Sequence, residues 1–186
     1  MSKKIISSTL GLVVFICFLI LNSFISAPVK LKQVSSPTQA VESFTTSLYD
    51  VIKVVDGDTI EVAINNKKEK IRLIGIDTPE TVDPRKPVQC FGKEASNKAK
   101  EMLSGKKVLL EIDLTQGERD KYKRLLRYVF LENGLNFNKY MIEQGFAHEY
   151  TYDLPYKYQK EFKQAEQEAM QAGRGLWANN ICLNSS

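Results

Sequence analysis

Apolar residues recur at two periods along the chain, and the switch between them marks out its elements. From Leu48 the stretches LYDVIKVVDG and DTIEVAINN alternate apolar and polar positions, predicting two strands joined at Asp56-Gly57. KEKIRLIGID follows as a third strand, entered through an Asn65-Asn66 turn, and three short consecutive strands make a meander. TPETVDPRKPVQCFG carries Pro79, Pro84 and Pro87 and reads as a loop. GKEASNKAKEMLSG then places Ala95, Ala99, Met102 and Leu103 on one helical face, with Gly105 as the stop. KKVLLEIDL and LLRYVFLEN are two further strands around the polar loop TQGERDKYKR. NFNKYMIEQG predicts a short helix with Phe137, Tyr140 and Met141 on one face, and YKYQKEFKQAEQEAMQAG a longer one ended by Gly173. Five short strands with a helix after the third are what a five-stranded Greek-key barrel requires. The expected class is α+β: an OB-fold β-barrel with three α-helices, two of them appended.

Everything before Leu48 follows another pattern. Lys3 and Lys4 precede the apolar run LGLVVFICFLIL, Leu10 to Leu21, which as a helix spans only about 18 Å against a hydrocarbon core of about 30 Å. A charged start, a short apolar core and small polar residues up to Ala27 form the pattern of an export signal. Ile25 is bulky for the position three before a cut after Ala27, so an uncleaved membrane anchor stands as the alternative to a cleaved signal. Ile16 before Cys17 argues against lipidation. Residues 28–47 are rich in Ser, Thr, Pro and Gln without a period, and are expected to be a flexible linker. The organisation is thus 1–27 signal or anchor, 28–47 linker, 48–182 domain and 183–186 tail. The location is secreted, periplasmic or cell-surface. Export also motivates a Cys90–Cys182 disulfide, since removing Cys17 with the signal leaves an even count.

Charge changes this picture little. The net charge is +4, of which Lys3 and Lys4 supply part, and no Asp or Glu occurs before Glu42. Such a balance tolerates an anionic polymer without pointing to one. His148 is the only histidine, which leaves no histidine-based triad or zinc set; it reads as a surface or capping residue. Trp177 reads as a core anchor of the last helix, and Tyr156 and Tyr158 as packing residues.

The chemistry-bearing residues lie at strand ends. Asp56-Gly57-Asp58-Thr59 and Asp77-Thr78-Pro79-Glu80 are each acceptable as plain turns. A meander, however, brings the end of strand three beside the start of strand two, and so Asp77 beside Asp58. Carboxylates that close repel unless a cation lies between them. The donors nearby are all oxygen, a preference for Ca²⁺ or Mg²⁺ over Zn²⁺. Arg72 interrupts an apolar strand, and Arg124 opens another; arginine's planar fork matches phosphate oxygens. Arg72 and Asp77 stand about 16 Å apart along a straight strand, so sharing one phosphate requires a bend, which Gly75 permits.

From Val51 to Trp177 the sequence resembles the staphylococcal nuclease (thermonuclease) family, through IKVVDGDTIEV, IRLIGIDTPET, FGKEAS, DKYKRLLRYV and GRGLW in the family order. The resemblance implies an OB-barrel acting as a Ca²⁺-dependent hydrolase of DNA and RNA that leaves 5′-hydroxyl and 3′-phosphate ends; a monomer is expected, since nothing in the sequence points to an oligomer. By position it implies catalytic roles for Arg72, Glu80 and Arg124, and metal ligation by Asp58, Asp77 and the Thr78 carbonyl. Asp56 would be an acid near the metal, and Lys121 and Tyr122 would hold a substrate phosphate. Tyr150 or Tyr152 would contact a nucleotide. Lys123 stands where the family has glycine. The competing class is a catalytically silent OB module that binds nucleic acid or a protein partner. The metal acids, the glutamate and both arginines are all present, which favours the enzyme.

Overall fold

The structure, a computed structural model, describes residues 47–81 and 87–179. The expected signal, most of the linker, Pro84, Cys182 and the tail lie outside the described residues. The chain divides into two units, and every described residue belongs to the second, Glu42–Ser186.

Five strands close a barrel in the order β1-β2-β3-β6-β5: β1 (Leu48–Val54), β2 (Thr59–Ile64), β3 (Lys67–Leu73), β5 (Lys107–Glu111) and β6 (Leu125–Leu131). Its pairs are antiparallel except β3 with β6, which run parallel with Ile71 opposite Leu125 and Arg72 opposite Leu126. A parallel neighbour cannot be reached by a hairpin, so the chain crosses over through the first helix and β5 before returning beside β3. The Asn65-Asn66 turn joins β2 to β3 with φ of 49° and 60°, the two left-handed residues of a type I′ hairpin. Inward positions of the barrel are apolar and fully buried, among them Val62, Ile71, Val108 and Val129.

The first helix, α1 (Gly92–Leu103), buries Ala95, Ala99 and Leu103, as its period predicts. The second, α2 (Phe137–Glu143), is capped by Asn136, whose side chain accepts from the Lys139 N–H at 3.1 Å. The third, α3 (Gln159–Gln171), packs through Phe162, Ala165 and Ala169. The described residues therefore form an OB-barrel with three α-helices.

One element departs from the sequence reading. The third strand was expected to run through Asp77, but it stops at Leu73. Gly75 takes φ +78°, and Ile76–Asp77 becomes a separate strand β4, paired antiparallel with β7 (His148–Glu149). The corner is held by Asn138 of α2. Its fully buried amide donates to the Ile74 carbonyl at 2.9 Å and accepts from the Val129 N–H at 2.9 Å. Gly75 cannot be replaced without strain. A Cβ there would lie 2.7 Å from the Tyr156 ring and 2.8 Å from Phe162.

The other singled-out residues settle into packing. Tyr156 is buried, and its hydroxyl donates to Glu149 at 2.9 Å. Tyr158 stacks on Phe162 and donates to Glu111 at 2.9 Å. His148 caps no described helix; it lies in β7, partly exposed, with Nδ1 3.6 Å from Glu166 and its ring edge-on to Trp177. Trp177 sits half-buried in a short 3₁₀ turn (Gly175–Trp177), at the margin rather than in the core. Cys90 is disulfide-bonded. No described helix is long and apolar enough to cross a membrane.

Candidate active site

The bend at Gly75 turns the end of β3 back upon itself, and a cleft of about 700 Å³ opens beside it. Asp56, Asp58, Arg72, Asp77, Thr78, Glu80, Lys121, Tyr122 and Arg124 all line this cleft. Residues read separately from three stretches of sequence thus share one surface.

Arg72 is its hub. The Nη1 donates to the carbonyls of Leu73 and Ile76, each at 2.7 Å, which locks the guanidinium across the β3–β4 corner. The Nη2 reaches Asp77 at 3.0 Å, and Nε lies 3.4 Å from Asp58. The expected separation along a straight strand has collapsed into a direct ion pair. Asp58 is nearly buried and receives three more hydrogen bonds: from the Thr59 hydroxyl at 3.0 Å, the Thr78 N–H at 2.9 Å and the Thr78 hydroxyl at 3.1 Å. Asp58 therefore ties the start of β2 to the segment that follows β4.

These acids are held in an environment that resists their charge. Burial, and then the Asp58 carboxylate, push Asp56 from an ordinary 3.8 up to about 6. The same two causes raise Asp77 against the pull of Arg72. Close, partly desolvated carboxylates of this kind are suited to a hard cation, and every donor at this end of the cleft is an oxygen. Among the described residues no group of three or more His, Cys, Asp or Glu closes around one point. A cation here would be held by Asp58, Asp77 and the Thr78 carbonyl, with its shell completed by water or phosphate oxygens. The donor set fits a hard divalent cation on those terms.

Arg124 is aimed from the opposite side by a loop built around Asp120. One Asp120 oxygen accepts the N–H groups of Tyr122 and Arg124, each at 2.9 Å, and the other accepts Arg124 Nε at 2.7 Å. Arg124 Nη1 extends to the Thr59 hydroxyl at 3.3 Å, and its guanidinium lies 5.3 Å from the Tyr122 ring centroid. Lys121 Nζ sits 5.2 Å from the same ring. Lys123 adopts φ +67°, a left-handed conformation that favours glycine.

Glu80 projects from the segment after β4, and two contacts with Gln89 hold its backbone. The Glu80 N–H donates to Gln89 Oε1 at 2.7 Å, and the Gln89 N–H donates to the Glu80 carbonyl at 2.9 Å. The start of α1 is pressed against the same segment: a Cβ on Gly92 would lie 2.6 Å from Thr81 and 2.9 Å from the Pro79 carbonyl. Across the cleft, Tyr150 and Tyr152 stand on the rim, 42% and 73% exposed, with ring centroids 6.4 Å apart. Sequence reasoning missed Asp120, Gln89 and Thr59 as the residues that hold the charged groups in place. Only Asp120 carried a signal, its position four residues before Arg124.

A family model described as staphylococcal nuclease homologue matches residues 70–179. A thermonuclease of Staphylococcus hyicus is 44% identical over 131 residues, covering 70% of this chain and 76% of the relative. A thermonuclease of Staphylococcus intermedius is 38% identical over 175 residues, 94% of this chain and 98% of the relative. Endonuclease YncB of Bacillus subtilis is 38% identical over 130 residues, 69% of this chain and 60% of the relative. The matched stretch takes in Arg72, Glu80 and Arg124 together with the strands and loops that aim them, and on that ground the chain belongs to the staphylococcal nuclease family.

Proposed function

We propose that this family member, a nuclease, is an exported Ca²⁺-dependent enzyme that hydrolyses the phosphodiester bonds of DNA and RNA and leaves 5′-hydroxyl and 3′-phosphate ends. The observation that supports the reading is that two arginines and a glutamate line one cleft together with carboxylates whose pKa values are raised by burial and by the neighbouring Asp58 charge. Asp58, Asp77 and the Thr78 carbonyl would hold the Ca²⁺, which when bound supplies Lewis-acid neutralisation of phosphate charge.

The residues of the chain do the rest. Arg72 and Arg124 present guanidinium groups to the non-bridging oxygens, where negative charge builds as phosphorus becomes five-coordinate. Arg72 is prearranged by two carbonyls and two carboxylates, so little reorganisation is needed when a phosphate arrives. Glu80 orients a water and takes its proton as the water oxygen bonds to phosphorus. The bond from phosphorus to the 5′ oxygen breaks, and that oxygen takes up a proton, with Arg124 beside it as the leaving group forms. Lys121 and Tyr122 receive a neighbouring phosphate, and Tyr150 or Tyr152 offers a stacking face to a base. None of these contacts reads a base edge, so cleavage should depend weakly on sequence.

The test is cleavage of plasmid DNA and of RNA by residues 41–186 with Ca²⁺, and again with EGTA. The expected result is cutting of both polymers with calcium only, with oligonucleotide products whose masses carry a 3′-phosphate. Equal cutting in EGTA would contradict the calcium requirement, and 5′-phosphate products would contradict the assigned bond. Export is checked by recovering the activity from the culture medium or the cell surface.

A further inference from the structure

The cleft described above accounts for the phosphate being cut and for one neighbour, yet the outer face of β3 carries further cations that it does not use. Alternate residues of a strand share a face, so Lys68 and Lys70 point to the same side as Arg72, while Ile71 and Leu73 are buried in the barrel. Ile71 pairs with Leu125 at the start of β6, so Lys70 and Arg124 each lie one residue before that pair, Arg124 in the loop that leads into the strand. On the other flank Lys70 pairs with Glu61 of β2, and Thr59, which receives the Arg124 guanidinium, pairs with Arg72. The face therefore reads Arg72, Lys70, Lys68 along one strand, with Arg124 beside the first step.

A row of surface lysines is ordinarily a solvated face, and what distinguishes this one is its continuity with the cleft and its charge. Lys70 is exposed and forms no salt bridge among the described residues. The outward acid of β2 at this level, Glu61, is only 10% exposed and lies 3.2 Å from Lys68, so solvent meets the lysines rather than the carboxylate. Successive side chains on one face of a strand are about 6.6 Å apart, of the order of the spacing of successive phosphates in an extended single strand.

We propose that the outer face of β3, through Lys70 and Lys68, is a phosphate track that binds the backbone of a single-stranded nucleic acid leading away from Arg72 and Arg124. The inference rests on the nuclease reading and deepens it. The preferred substrate is a polymer several nucleotides long, because a dinucleotide reaches the arginines but not the lysines. The track contributes to binding rather than to the chemical step, and its contribution is electrostatic and sequence-independent.

The test compares the parent with Lys70→Gln and with the Lys68→Gln, Lys70→Gln double variant, each checked by circular dichroism. Binding of a labelled oligothymidylate is followed by anisotropy in EDTA, so that nothing is cut, over a series of salt concentrations. The slope of log affinity against log salt should become shallower by about 0.7 for the single variant and about 1.4 for the double one. With Ca²⁺, KM for the long strand should rise in both variants while turnover of a dinucleotide stays at the parent value. Equal slopes and equal KM in parent and variants would overturn the track. Failure of the nuclease reading shows separately, as a parent that leaves dinucleotide and polymer alike uncut.

Discussion

Asp56 lines the cleft, and its backbone neighbour Asp58 donates an N–H to it at 3.1 Å. Burial and the Asp58 charge raise its carboxyl to about 6. A carboxyl raised on folding stabilises the folded state in its neutral form. That contribution is complete below the unfolded value of 3.8 and is lost as pH rises through about 6. In the metal-free protein, Asp56→Asn should therefore melt higher than the parent at about pH 7, with the gap closing toward about pH 4. The asparagine oxygen keeps the Asp58 N–H bond, so the comparison isolates charge. Thermal melts in EGTA across this range check it, and a variant that melts no higher at neutral pH would refute the account. At this scale most of the site was legible in the sequence. Asp58, Asp77, Arg72, Glu80 and Arg124 are each acceptable alone as turn or surface residues, and it is their spacing in combination that carries the family resemblance. Gln89 was not legible, and Asp120 only through its position four residues before Arg124. Each acts by holding another residue's backbone or guanidinium, and a lone polar side chain in a loop shows no such partner until the loop is folded.

Among the elements, the β3–β4 corner decides whether the site exists. Gly75 combines a positive φ with ring atoms of Tyr156 and Phe162 too close for any Cβ. Gly75→Ala meets two separate costs: the left-handed backbone of a residue with a Cβ, and overpacking against two buried rings. Together they should lower stability on the order of 2–5 kcal/mol. Activity should fall further than stability alone explains, because the Arg72–Asp77 pair depends on this turn. Chemical denaturation with turnover measured on the still-folded fraction checks both. An alanine variant of parental stability would show that the corner adapts. The long strands and the three helices were readable because each repeats its period two or more times. The pairing of β4 with β7 was not, since two-residue strands have no period and their register is imposed by the glycine turn and by Asn138 from a distant helix.

For the whole molecule, the barrel works as a frame that brings three distant stretches together. The β1–β2 turn supplies Asp56 and Asp58, the bent end of β3 supplies Arg72, Asp77 and Glu80, and the loop before β6 supplies Lys121, Tyr122 and Arg124. The parallel β3–β6 pair makes this possible, because it sets Arg72 and the start of β6 on neighbouring strands running the same way. Hydrogen bonds fix the far wall: the buried Asp113 accepts from the Tyr128 hydroxyl at 2.7 Å and from the Lys157 N–H at 2.8 Å, and the exposed Thr115 donates to the Pro155 carbonyl at 3.1 Å. The loop after β5 is thereby tied to the segment that carries Tyr150 and Tyr152. The proposed role of this convergence as the catalytic site is read from the Ca²⁺-dependent turnover of single-stranded DNA by Arg72→Lys and Glu80→Gln, with circular dichroism showing that each is folded. An ammonium cannot reproduce the forked contact, and an amide cannot take the water's proton, so each variant should lose at least about 10²-fold in turnover. Near-parental cleavage by either folded variant would contradict the account and move the chemistry elsewhere in the chain.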